Sequence, residues 1–234
     1  MKVAIMQPYF FPYIGYFQLM AAVDEFIVYD NIEFTKKGWI NRNRILVNGT
    51  DSYITLPLKS DSDFLNIRER HLADTWIKEK RKVLNKIFES YRKSSNFKIV
   101  SEVIEKCILF EDHNLFNFIL NSLSIVKEYL EIKTPLIISS TIPIDHSLKG
   151  DKKVIEIVKS RKAENYINSI GGIELYNKDE FKKEGINLNF LKSTNLIYKQ
   201  FDNAFVPWLS IIDVMMFNSK EEIKKYLESY YTIL

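Results

Sequence analysis

Cysteine, histidine and glycine are all scarce in this chain. A single cysteine, Cys107, excludes a disulfide framework, and its setting in the apolar "IEKCILF" predicts an inert buried thiol. The three histidines, His71, His113 and His146, lie far apart without ligand spacing, so no metal site is expected. No apolar run reaches bilayer length, and the N-terminus has neither a basic region nor a small-residue cleavage site. A cytoplasmic protein with no membrane insertion is the expectation. Charge of one sign is also missing. With 33 basic and 30 acidic residues well mixed, the net charge of +3 gives no field that would favour nucleic acid.

Aromatic residues are abundant, at 14%, and serve to line a pocket as well as a core. A chain of 234 residues can bury its own core. The reading is one domain over 1–234 with a helical subregion at about 74–131, since no repeat, linker or low-complexity tract divides it.

"KVAIM" and "EFIVYD" read as short buried strands, and "IGYFQLMAAVD" between them has helical spacing, which predicts a parallel strand–helix–strand unit. Asn48-Gly49 between two apolar runs predicts an antiparallel hairpin inserted after it. Helices are expected from Asp74, with Trp76, Ile77, Lys80, Val83, Leu84, Ile87 and Phe88 on one stripe, then at about 97–109 and 112–131. "TPLIISST", "DKKVIEIVKSRKA" and "NYINSIGG" give a second parallel unit, and "INLNFL" a further strand. "WLSIIDVMMFNS" and "SKEEIKKYLESYYTIL" read as two terminal helices, the second opened by a Ser219/Glu222 capping box. The fold class is therefore α/β: a Rossmann-like mixed sheet with a parallel core, a hairpin insertion, a helical middle and a helical C-terminus.

Ligands of such sheets sit outside the carboxyl ends of the strands. "QPYFFPYIGY" falls there, which marks Gln7, Pro8, Tyr9, Tyr13, Gly15 and Tyr16 as candidate binding residues, with Gly15 permitting close approach near a helix N-terminus. The layout resembles that of the nucleotidyltransferase superfamily, whose His-x-Gly-His signature is replaced here by Tyr13 and Tyr16. In "FTKKGWINRNRI", Lys37, Trp39, Asn41, Arg42, Asn43 and Arg44 form a second cluster. Guanidinium groups suit phosphate, asparagine suits sugar hydroxyls, and tryptophan stacks on a ring. Asn168, Ser169, Gly171 and Gly172 leave another strand as a loop that could cradle a phosphate. For chemistry, Asp30 and His146, the latter beside Asp145, are candidate proton acceptors. Asp213, a carboxylate on an apolar helix, is expected to pair with Arg42 or Arg44 or to act in catalysis.

Together, "QPYFFPYIGYF", "DEFIVYDNIEFTKKGWINRNRI", "YINSIGGIELYNKDEF" and "FVPWLSIIDVMMFNS" resemble the WbqC-like protein family of surface-polysaccharide (O-antigen) gene clusters. That resemblance implies a part in building surface sugars, and it names no reaction. The expected function is a transferase acting on a nucleotide-linked amino sugar, by acyl or aminoacyl (glycyl) transfer. Two alternatives stand beside it: an ATP-dependent adenylate-forming ligase, and a non-catalytic binding or scaffold protein that recruits other polysaccharide-pathway enzymes. The expected co-substrate is ATP or an acyl donor, with no resident cofactor.

Overall fold

The computed structural model describes residues 1–234. Five strands run parallel at its centre: β1 (Lys2–Met6), β2 (Glu25–Val28), β5 (Leu136–Ile138), β6 (Asn165–Ser169) and β7 (Asn187–Ser193). The short β8 (Tyr231–Ile233) adds to β7 antiparallel, giving the order β5-β2-β1-β6-β7-β8. The chain thus winds outward from β1 to one side and returns to wind outward on the other, as in doubly wound nucleotide-binding sheets. The reversal falls between β1 and β6.

Alternation along the strands sends side chains to opposite faces. Ala4, Phe26 and Val28 join a core of 46 buried residues shared with α1 (Ile14–Ala21), α2 (Trp76–Tyr91), α3 (Phe97–Ile108), α4 (Leu115–Tyr129), α7 (Ile211–Phe217) and α8 (Lys220–Ser229). Val3, Ile5, Ile27 and Tyr166 join a smaller core of 14 with α5 (Gly150–Ser160) and α6 (Lys178–Lys183). Cys107 lies wholly in the larger core, where burial pushes its thiol pKa up and leaves it unreactive.

The hairpin is a separate two-stranded sheet of β3 (Arg42–Val47) and β4 (Thr50–Thr55), with Asn48 and Gly49 both at positive φ in the turn. Ser219 and Glu222 form the expected capping box. Two details depart from the sequence reading. Ile77 is 61% exposed, outside the buried stripe of α2. The last helix stops at Ser229, and Tyr231–Ile233 pairs with Leu191–Ser193 instead of continuing it. No helix is long and apolar enough to cross a membrane.

Candidate functional site

A cavity of about 380 Å3 opens at the reversal point, where the carboxyl ends of β1, β6 and β7 meet the N-terminus of α1. Tyr9, Tyr13, Tyr16, Trp39 and Trp208 form its walls, and Arg44, Lys192, Ser169 and Ser193 supply its polar groups. The aromatic loop after β1 and the arginine strand β3 therefore face one hollow.

The loop is held by its carbonyl groups. Asn43 Nδ2 donates to the carbonyls of Phe10 and Phe11 at 3.2 and 2.8 Å, Ser210 Oγ donates to Phe11 at 2.8 Å, and Ile211 N donates to Pro12 at 2.9 Å. These bonds support Phe11 at φ 42°, a backbone conformation that costs a bulky residue about 1–3 kcal/mol. Asn43 lines the cavity, yet both its amide protons are spent on this loop, so it acts as a bracket where a ligand contact was expected. Gly15 is required by close approach. A Cβ there would stand 2.5 Å from Ser193 Oγ and 2.9 Å from Tyr13 Cε1. Tyr16 is buried and donates to the carbonyl of Gln7 at 3.1 Å, Tyr9 rests on it with centroids 5.8 Å apart, and Pro8 is buried behind them. Burial raises the phenol pKa of Tyr9, Tyr13 and Tyr16, so all three are neutral donors; for Tyr13 a hydrogen bond with Ser193 partly offsets the rise.

The two arginines of β3 have different fates. Arg42 folds back on the preceding loop, donating from Nε to Gly38 O at 3.1 Å and from Nη2 to Lys37 O at 2.8 Å, with its guanidinium over Tyr53. It does not line the cavity, and neither do the exposed Lys37 or Asn41, whose amide donates to Leu56 O. Arg44 does. Its Nη1 meets Asp51 at 3.2 Å, its Nη2 reaches the Trp208 carbonyl at 3.3 Å, and its guanidinium lies over Trp39. Its Nε is buried without a partner. A buried N–H left unpaired costs about 1–3 kcal/mol.

Of the four candidates at the β6 exit, only Ser169 reaches the cavity, with Ile170 beside it. Asn168 turns inward, accepting from Ser169 N at 2.8 Å, and a Cβ on Gly172 would approach its amide to 2.6 Å. Gly171 is exposed in the short 3-10 helix Ile170–Leu175 that follows β6. Sequence reasoning missed Trp208, half exposed at φ 61°, whose ring lies 5.1 Å from Tyr13 and forms the far wall. It also missed Lys192 and Ser193. "FVPWLS" places a bulky aromatic after proline before a helix, the one available signal.

None of the three proposed catalytic groups lines this cavity. Asp213 is fully buried and meets no arginine, contrary to expectation. It accepts from Tyr91 OH at 2.8 Å, and from Tyr198 OH and Gln200 Nε2 at 2.6 Å each. Tyr91 OH in turn accepts from Leu46 N, so the carboxylate ties α7 to α2 and β3. Burial raises its pKa against those three hydrogen bonds, which lower it. Asp30 and His146 flank a different opening, at the ends of β2 and β5. Asp30 accepts from Ser140 N at 2.9 Å and stands 3.7 Å from Arg68. His146 Nδ1 accepts from Asn31 Nδ2 and its Nε2 donates to Ile142 O, both at 2.9 Å, so the lone pair a base would need is occupied. Asp145 turns away to Ser147.

The fold and cavity define an α/β protein with an aromatic-walled cavity at the reversal point of a largely parallel sheet. The chain belongs to the WbqC-like protein family, whose model matches residues 7–225. The uncharacterized protein Rv1507c of Mycobacterium tuberculosis is 31% identical over 232 residues, covering 97% of each chain. No solved structure matches.

Proposed function

We propose that this protein is a transferase of surface-polysaccharide synthesis that binds a nucleotide-linked amino sugar in the aromatic cavity and acylates its amine. The observation that carries the reading is the meeting of the Arg44 guanidinium and the aromatic walls at the uncapped start of α1. Ring stacking on Tyr13, Trp39 or Trp208 suits a base or sugar, and the cation with the first helix amides suits a diphosphate.

No carboxylate or imidazole lines the cavity, which favours direct attack without a covalent enzyme intermediate. The amine forms the new C–N bond as the donor's acyl bond to its leaving group breaks, and the leaving group takes up the proton. Binding then contributes mainly by alignment. An acyl donor, an amino acid ester or thioester among them, is the co-substrate of this reading. The test is a thermal-shift panel of sugar nucleotides and ATP, followed by product analysis with acyl donors. Stabilisation by amino-sugar nucleotides above ATP supports it. Stabilisation by ATP alone, with pyrophosphate release in the presence of amino acids, would replace it with adenylate-forming ligation, the reading favoured by the loop-to-helix layout around Gly15.

A further inference from the structure

The second opening, at the carboxyl ends of β2 and β5, measures about 1010 Å3 and lies against the start of α5. Arg68, Lys149 and Lys153 line it together with Tyr29, Asn31 and His146. It adjoins the aromatic cavity across the β1–β2 edge, where Tyr29 N donates to the carbonyl of Met6 at 2.8 Å.

Lys153 is the unusual member. It is only 5% exposed, forms no ion pair, and donates a single hydrogen bond, to the Asn31 carbonyl at 3.2 Å. Its ammonium stands 5.3 Å from the centre of the Tyr29 ring. An ammonium has three protons to place, and withdrawing it from water without a counter-ion is costly. Burial lowers its pKa, and the Asp30 charge only partly offsets this. Asp30 is itself engaged, by Ser140 N on one oxygen and by Arg68 at 3.7 Å on the other. Two cations thus share one committed carboxylate at the inner end of the cleft.

The remaining acids do not supply the missing charge. Glu69 accepts from Asn66 N at 2.7 Å as part of a helical cap, and Glu33 lies at the exposed rim. On the donor side, α5 begins at Gly150 with no side-chain cap, so its first amides are open. Asn31, which holds Lys153 through its carbonyl, is itself oriented by Ser139 Oγ and His146. This polar shell fixes the ammonium in place at the cleft wall.

We propose that this cleft is a second binding site, for the phosphate or carboxylate group of another ligand, with Lys153 and Arg68 as its cationic partners and the α5 amides as donors. It stands whether or not the aromatic cavity takes a sugar nucleotide. His146 serves as a positioning residue for Asn31.

Calorimetric titration of the full chain with pyrophosphate and with acetate tests it. Pyrophosphate or acetate binds the wild type at up to about 1 mM, and Lys153→Met and Arg68→Gln each weaken that binding by about tenfold or more. The same losses appear in an Arg44→Ala background, where the aromatic cavity lacks its own phosphate partner. A preference for pyrophosphate assigns a phosphate ligand, and equal binding of acetate a carboxylate. Should Lys153→Met fail to fold, Arg68→Gln, whose side chain is 49% exposed, carries the comparison. The proposal is overturned if neither anion binds in that background, or if binding there survives both cleft substitutions.

Discussion

The polar cluster around Asp213 and the polar groups of the aromatic cavity are built from similar parts to opposite ends. At Asp213 a fully buried carboxylate receives three donors, two of them tyrosine hydroxyls, and nothing is left open. In the cavity the tyrosines surround space, and Arg44 keeps a buried N–H without an acceptor. A satisfied buried network rigidifies a fold, whereas polar groups set around a hollow leave room for another molecule. Burial of a charged residue does not by itself distinguish the two. Whether the surrounding groups close on one another or enclose space does.

The comparison breaks most visibly at its closed end. Asp213→Ala leaves the donors of Tyr91, Tyr198 and Gln200 unpaired and is expected to cost about 4 kcal/mol of stability, read as a fall in the denaturant midpoint. Folded protein at low temperature should still bind the cavity ligand; lost affinity there would join the two regions functionally. Gly15→Ala comes next, at about 2 kcal/mol, because its Cβ meets Ser193 and Tyr13. It should weaken both stability and ligand affinity, and a variant of native stability and affinity would mean that the close approach is relaxed in solution.

A subtler effect follows from titration. The Asp213 pKa is raised in the folded state, so its stabilising share is complete below the ordinary carboxylate range and is lost as pH rises through the folded value. The stability difference between wild type and Asp213→Asn should therefore shrink from about pH 4 toward pH 7, by at most about 1.4 kcal/mol per pH unit. A difference that grows with pH would show that the hydrogen bonds outweigh burial. Smallest is Arg42→Ala, which removes two bonds to loop carbonyls and should cost about 1 kcal/mol of stability with no change in ligand affinity.

Much of this was legible in the sequence where local rules decide. Asn48-Gly49 could only turn a hairpin, Ser219 and Glu222 could only cap a helix, and the apolar strands next to helical spacing gave the parallel sheet. Placing the aromatic loop at the carboxyl end of β1 followed from the same logic. The losses came where distant contacts decide. The cluster in "FTKKGWINRNRI" grouped Arg42 with Arg44, but could not show that Arg42 folds back onto Gly38 while Arg44 enters the cavity. Asp213 looked in need of a cation because its three neutral donors come from α2 and from residues 198 and 200. "YYTIL" continued a helical pattern, yet the free edge of β7 captured it as a strand. Lys153 was hidden in what reads as an ordinary solvated helix face, since only the fold brings Tyr29 and Asn31 over it.

The most direct measurement is calorimetric titration of the most stabilising amino-sugar nucleotide into wild type, Arg44→Ala and Arg42→Ala. If Arg44 presents its guanidinium to that ligand, its variant loses about 2 kcal/mol, roughly thirtyfold in Kd, while Arg42→Ala matches the wild type. Equal affinity in all three proteins, or a loss confined to Arg42→Ala, would contradict the account.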